Sequence, residues 1–329
     1  MEYGNVEGLS KKVSRLVQGC MMLGDLGQEQ SDRLLDTCMG AGINTFDNGH
    51  SYGEWIEDGI CERVLGQWIQ RQGNREDIVI IDKGCHPNKD RQKVTPFDIE
   101  ADLNNSLARL NTDYIDLWLF HRDDPSVPVG PLMETLNRYL DNGKIKAFGC
   151  SNWTRDRIEE ANAYCEKNNL VPFAASSPGF SLAAPVQAPF GGGAVTISGP
   201  ENEEIRAWYI ENQMPVFTWS SLARGFFSGR INRRNFEQVK DQFEDFTLRA
   251  YVSEENWERM ERAEKLAGSK NLTMPQIALS FVLNQSFNVF TIVGAFSETE
   301  IQANIAAMEC KLSQEELDWL DLKTNDLNQ

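Results

Sequence analysis

Short apolar runs alternate along this chain with longer amphipathic stretches. The runs Leu16–Cys20, Asn44–Phe46, Ile78–Ile81, Tyr114–Phe120, Lys146–Cys150, Phe173–Ser176, Val216–Thr218 and Phe290–Val293 predict strands. Several are apolar almost without a break, as parallel strands covered on both faces must be. Helical spacing predicts Gln28–Met39, Ile60–Arg71, Asp98–Leu110, Pro131–Asp141, Arg155–Lys167, Glu201–Asn212, Met274–Leu283, Thr299–Met308 and Gln314–Leu322. Thr95-Pro96 offers a cap and a first-turn proline, Gly143 a left-handed stop, and Ser313 with Glu316 a capping box. Strand and helix in regular alternation predict a (β/α)8 TIM barrel, with an N-terminal extension and long loops at its C-terminal face. A doubly wound sheet is the alternative. Two irregular segments interrupt the rhythm: Leu182–Pro200, with Gly191-Gly192-Gly193, and Ala223–Phe246. Each reads either as a functional loop or as a surface insertion.

A barrel of this kind routinely takes the whole of such a length, so residues 1–329 are expected to form one domain. The net charge is -17, from 32 basic and 49 acidic residues. Its field argues against nucleic acid or an anionic membrane as partner. No apolar stretch approaches the roughly 18 residues of a membrane span. Met1–Ser10 lacks the basic-then-apolar order of a leader. The seven cysteines are scattered without a CxxC, which predicts free thiols and a cytoplasmic location. Oligomeric state leaves no signal in the sequence.

In a barrel, chemistry gathers where strands end at their carboxyl side. Those positions hold Asp47, with Tyr52 just beyond, then Lys83 and His121. A free tyrosine has a pKa of about 10 and is a poor proton donor at neutral pH. A neighbouring lysine ammonium stabilises the phenolate and lowers that value, and a buried lysine in turn needs a carboxylate such as Asp47. A histidine beside them orients a carbonyl oxygen. Together the four form a proton-donating device for a developing alkoxide. Taken singly, each has a plain structural reading: a turn cap, loop packing or a solvated cation.

The chain resembles the aldo-keto reductases over nearly its whole length. The resemblance rests on Gly42-Ile43-Asn44-Thr45-Phe46-Asp47 with Tyr52-Gly53, the strand ending at Lys83, and Ser106-Leu107-Ala108-Arg109-Leu110 with Tyr114-Ile115-Asp116-Leu117. It continues through His121-Arg122-Asp123-Asp124-Pro125, Gly143-Lys144-Ile145-Lys146, Gly149-Cys150-Ser151-Asn152, Trp219-Ser220-Ser221-Leu222-Ala223-Arg224-Gly225 and Ile292-Val293-Gly294-Ala295. It implies reduction of a small carbonyl substrate by a nicotinamide cofactor, without a metal. Tyr52 would be the general acid, Lys83 and Asp47 would tune it, and His121 would orient the carbonyl. Ser151 and Asn152 match the positions that hold the carboxamide, and Trp219 the ring that stacks on the nicotinamide. Ser220, Leu222 and Gly225 match the pyrophosphate loop, and Gly294, Ser297 and Asn304 the adenosine segment. No GxGxxG follows a strand, which argues against a Rossmann mode.

The chain departs from the family pattern in three places. Tyr52-Gly53 runs into Glu54-Trp55-Ile56-Glu57-Asp58-Gly59 before Glu62, which reads as an insertion beside Tyr52 that carries Trp55. Ser177 stands where the family often has a glutamine against the carboxamide. Gly294 and Glu300 stand where NADP-preferring members place basic residues, and a carboxylate there repels a 2′-phosphate. Arg224, Arg230, Arg233 and Arg234 are the candidates to restore positive charge. NADP(H) is therefore expected, with NAD(H) left open. Trp55, Trp153, Phe226 and Phe227 read equally as pocket walls or as core. Two other functions compete: a nicotinamide-binding regulatory barrel without turnover, and a metal-dependent hydrolase. The latter is weakened because His50, His86 and His121 lack HxH or HExxH spacing.

Overall fold

The structure, a computed structural model, describes residues 1–188, 190 and 192–327; Gly191 of the triple glycine lies outside the described residues. Eight parallel strands form a closed barrel: β1 (Leu16–Gly19), β2 (Thr45–Asp47), β3 (Val79–Gly84), β4 (Ile115–Phe120), β5 (Ile145–Ser151), β6 (Ala175–Ser177), β7 (Val216–Thr218) and β8 (Val289–Val293). The order around the barrel is β8-β1-β2-β3-β4-β5-β6-β7. The expected strands are all present, most of them shifted by one to three residues at an end. The shift is largest at β3, which runs on through Asp82, Lys83 and Gly84. These residues lack the apolar signature of a strand, yet Asp82 pairs with Trp118 and Lys83 with Leu119.

Contacts divide the chain into two compact units, Met1–Ser177 with Gly294–Ile301, and Pro178–Val293 with Gln302–Gln329. In the first unit the N-terminal extension is a two-stranded antiparallel pair, Tyr3–Gly4 with Val13–Ser14. Strands β1 to β6 then pair in sequence. Most residues of β3 and β4 are buried on both faces, as their near-continuous apolar runs require. The first long helix spans Leu23–Gly40, starting earlier than its sequence pattern indicated, with a break at Gly27 where φ is 71°. Thr95 caps the helix Pro96–Leu110 by accepting from the Asp98 N–H, as expected.

In the second unit β7 and β8 pair in parallel, Val216 with Val289. The segment Ala223–Phe246 is not wholly irregular: it holds a 3-10 turn at Ala223–Gly225 and a short helix at Phe236–Val239. The helix Glu254–Lys270 was not anticipated. Its signal is present, since Ser253 caps it and Trp257, Met260, Ala263 and Leu266 recur at helical spacing on the buried side. A mean composition rich in charge obscured that stripe. No helix among the described residues is long and apolar enough to cross a membrane.

Candidate active site

The first unit brings Asp47, Tyr52, Lys83 and His121 together. Asp47 is the last residue of β2 and only 2% exposed. Beyond it the chain keeps hydrogen-bonding to β3: Asn48 N–H donates to Ile81 (2.8 Å) and His50 N–H to Lys83 (2.7 Å). The loop carrying Tyr52 is thus held in register with the strand carrying Lys83. Gly53 follows with φ 77°, and a Cβ there would meet Ile60 at 2.5 Å and the Cys61 sulfur at 2.9 Å. The Tyr-Gly pair is therefore a backbone requirement as much as a chemical one.

Side chains alternate along β3, so neighbouring Asp82 and Lys83 point to opposite faces. Lys83, 2% exposed, is salt-bridged to Asp47 and donates to the Tyr52 hydroxyl at 3.0 Å. Tyr52 Oη lies 3.2 Å from Asp47 Oδ2, to which it donates. On the other face, burial and nearby Glu62 push the Asp82 carboxyl well up. His121 follows β4 directly, and its N–H donates to Gly84 at 2.8 Å. Its ring meets Tyr52 edge-on at 5.7 Å and His86 at 4.6 Å.

The electrostatics correct one expectation. Burial pushes the Tyr52 phenol up, Asp47 adds to this, and Lys83 pulls down without reversing the balance. The ammonium acts in the expected sense, but desolvation of a phenolate wins. Tyr52 thus holds its proton firmly at neutral pH and is a donor, not a standing phenolate. Burial alone would lower the Lys83 amine, yet Asp47 and Tyr52 hold it above its ordinary value, so it stays charged. His121 is pushed well below 6.5 by burial, with His86, Lys83 and Arg122 acting in the same direction. It is a neutral imidazole, able to donate one hydrogen bond.

Other residues expected at the site lie in the same unit. Ser151 ends β5 and its hydroxyl donates to the Ser177 carbonyl at 2.7 Å. Asn152, with φ 60°, donates from its amide to the His121 carbonyl at 3.0 Å. Ser177 ends β6. Gly294 directly follows β8; Ser297 accepts from the Glu300 N–H at 3.3 Å, and Glu300 accepts from the Phe296 N–H at 2.6 Å. Glu300 is therefore committed to the start of the helix Glu298–Glu309.

The second unit holds the other expected contacts. Trp219 follows β7 and packs so closely on Gly179 that a Cβ there would sit 2.7 Å from its ring. Ser220, Ala223, Arg224 and Gly225 all have positive φ, at 56°, 49°, 52° and 88°. Leu222 accepts from the Gly225 N–H at 3.0 Å. Asn304 lies half-buried on the helix Glu298–Glu309. Arg224 is engaged by Glu244 at 2.6 Å, and Arg233 by Glu254 at 2.6 Å and Glu261 at 3.0 Å. Two of the four candidate arginines thus already have carboxylate partners. Trp153, Phe226 and Phe227 are core residues, whereas Trp55 is 60% exposed.

Sequence reasoning gave no role at this group to three residues near it. Asp102 accepts from the Cys85 N–H at 2.8 Å and pairs with Lys93 at 2.9 Å, tying the end of β3 to the helix Pro96–Leu110. His86 meets the His121 ring edge-on, and Arg122 lies near enough to both to act on their charge. Arg122 was visible only as part of a motif and His86 only as a histidine without metal-ligand spacing, and nothing local marked Asp102. Among the described residues no three His, Cys, Asp or Glu side chains are grouped as metal ligands.

In the first unit the Ser151 hydroxyl and the Asn152 amide sit together beside His121, polar groups of the kind that can hold a small amide. Comparison with known proteins agrees. The sequence profile of the Aldo/keto reductase family matches residues 15–324. The chain is 26% identical over 320 residues to a "Probable voltage-gated potassium channel subunit beta" of Arabidopsis thaliana, covering 94% of this chain and 92% of that protein. It is 28% identical over 311 residues to "Aldo-keto reductase yakc [NADP(+)]" of Schizosaccharomyces pombe, covering 90% and 84%. The crystal structure of the thermostable aldo-keto reductase Tm1743 with the inhibitor epalrestat has the same fold, with a TM-score of 0.71 at 22% identity, over 98% of this chain and 99% of that one. This chain belongs to the Aldo/keto reductase family, a family of oxidoreductases acting on carbonyl compounds.

Proposed function

We propose that this chain, as one domain over residues 1–329, reduces an aldehyde or ketone to an alcohol, with Tyr52 as the general acid. The observation that carries this reading is the Tyr52 hydroxyl held 3.0 Å from the Lys83 ammonium and 3.2 Å from the Asp47 carboxylate. A nicotinamide cofactor, when bound, would supply the hydride for the carbonyl carbon. As negative charge builds on the carbonyl oxygen, Tyr52 gives it a proton. Lys83 stabilises the phenolate left behind, and Asp47 keeps Lys83 charged. His121, neutral, donates a hydrogen bond that orients the same oxygen. Because burial raises the phenol, proton transfer waits for the oxygen to become strongly basic.

For the cofactor we propose NADP(H), held by Ser151, Asn152 and Ser177 at the carboxamide, and by Trp219 at the nicotinamide face. Ser220, Leu222, Arg224 and Gly225 would take the pyrophosphate, and Gly294, Ser297, Glu300 and Asn304 the adenosine. NAD(H) is the second reading, favoured by Glu300, whose carboxylate is fixed at the start of that helix. The named relative with NADP(+) supports the first choice. Seven free cysteines support a reducing cytoplasm as the compartment.

Replacing Tyr52 by phenylalanine tests the reading. Turnover of a carbonyl panel should fall by about 10²–10⁴-fold. Fluorescence titration with NADPH and NADH should show binding unchanged, and should rank the two cofactors. Turnover by the variant close to that of the unaltered protein would remove Tyr52 from the mechanism. A second function, binding without turnover, is favoured by the channel-subunit relative. It predicts tight nucleotide binding and no reduction of any carbonyl in the panel.

A further inference from the structure

Half-buried guanidinium groups in the first unit are paired with carboxylates, as charges withdrawn from water must be. Arg75 pairs with Asp116 at 2.8 Å, Arg109 with Glu62 at 2.9 Å, and Arg157 with Asp123 at 3.1 Å. Arg122 differs. It is half-buried, and no carboxylate among the described residues pairs with it. The adjacent Asp123 is taken by Arg157, and Asp124 accepts from Ser126 at 2.6 Å. Among the described residues the one polar contact of its guanidinium is a long one, 3.5 Å from Nη1 to the carbonyl of His121.

The position of Arg122 is fixed by its surroundings. Its carbonyl accepts from the Trp153 indole at 3.2 Å, and the preceding carbonyl, of His121, accepts from Asn152 at 3.0 Å. Tyr52, His86 and His121 all lie close enough to interact with its charge. Burial pulls the guanidinium below its ordinary value, and only Tyr52 opposes this. The other cation of the group, Lys83, is neutralised by Asp47. His86 cannot take over the role, because its Nδ1 lies 2.9 Å from the Pro87 carbonyl. A carbonyl only accepts, so Nδ1 carries the proton, and Nε2 of the neutral ring is an acceptor. Of these two cations, Arg122 is the one without a carboxylate partner among the described residues; Glu54 acts on His86 but not on Arg122, in a chain whose net charge is -17.

We propose that Arg122 forms an anion subsite beside Tyr52 and His121, so that the carbonyl compounds this chain reduces best carry a carboxylate or a phosphate. This rests on the reductase reading for its substrate and on Arg122 alone for its selectivity. A guanidinium takes either anion through two parallel N–H donors.

Matched substrates test it. With NADPH and NADH, 4-formylbenzoate is compared with its methyl ester, and glyceraldehyde 3-phosphate with glyceraldehyde. For the preferred anion, kcat/KM should exceed that of its neutral counterpart by about tenfold to a hundredfold. The pair that shows the gap identifies carboxylate or phosphate. In Arg122→Met the ratio should fall toward one, mainly through KM, and Arg122→Lys should retain part of it. A ratio near one in the unaltered protein, or an unchanged ratio in Arg122→Met, overturns the proposal. Calorimetric titration with terephthalate and inorganic phosphate reads the subsite without turnover. Loss of that binding in Arg122→Met, with no carbonyl reduced by any form, leaves the subsite standing and removes the reductase reading. Equal binding by both forms, or none by the unaltered protein, removes the subsite whatever the kinetics.

Discussion

Charge is handled in opposite ways at the ends of β2, β3 and β4 and along the segment 223–246. In the first region Asp47 and Lys83 are each 2% exposed and each depends on the other. In the second, Glu244, Glu254 and Glu261 are largely exposed, and their arginine partners Arg224 and Arg233 keep contact with water. The chemistry of the pairs is the same, a cation on a carboxylate. What differs is the medium. Without water, removing one partner strands the other, and the shifted protonation of Tyr52 and His121 follows from the same desolvation. With water present, either partner finds a substitute.

The largest test of that contrast is Lys83→Met. It leaves Asp47 buried without its cation and should destabilise the protein by about 3–5 kcal/mol, read by urea unfolding at pH 7. Turnover should be lost as well. The double substitution Asp47→Asn with Lys83→Met removes both charges, and should recover most of the stability while turnover stays lost. If the double variant is as unstable as the single one, burial of charge is not what distinguishes the two regions.

Much of this was legible in the chain. Strand positions followed from apolar runs; Asp47 and His121 were the first polar positions after two of them, Lys83 followed Asp82 after a third, and Tyr52 lay a few residues beyond Asp47. The sign of the Tyr52 shift was not legible, because it depends on how completely the phenol is removed from water. Arg122 was hidden for a related reason. Its isolation is a statement about carboxylates that are elsewhere, and Asp123, its sequence neighbour, suggests a partner that the fold gives to Arg157. Ser177, by contrast, lies one residue beyond the end expected for its strand, and the structure makes it the last residue of that strand.

A smaller effect comes from acid. His121 and His86 are both held below 6.5 in the folded state, chiefly by burial. The unfolded chain therefore binds protons on these rings first as pH falls. Stability is complete above about pH 6.5 and declines below it, until the folded-state values are reached. The urea midpoint should drop between pH 7 and pH 5, and His121→Asn should reduce the drop. A drop of the same size in that variant would place the acid sensitivity elsewhere.

The smallest effect should come from Arg224→Ala. Its pair with Glu244 is worth about 0.2–1 kcal/mol at most for an exposed partner. The guanidinium also lies over the rings of Phe190 and Phe246, at 4.5 and 4.7 Å. Such contacts add about 0.5–1 kcal/mol at exposed sites. For a protein of this size the melting temperature should fall by roughly 1–4 °C. Salt separates the two contributions, because it screens the ion pair more than the ring contact. In 0.5 M sodium chloride the deficit should shrink without vanishing. A loss as large as that of Lys83→Met would mean that Arg224 is held as tightly as the buried pair, and the distinction between the two regions would collapse.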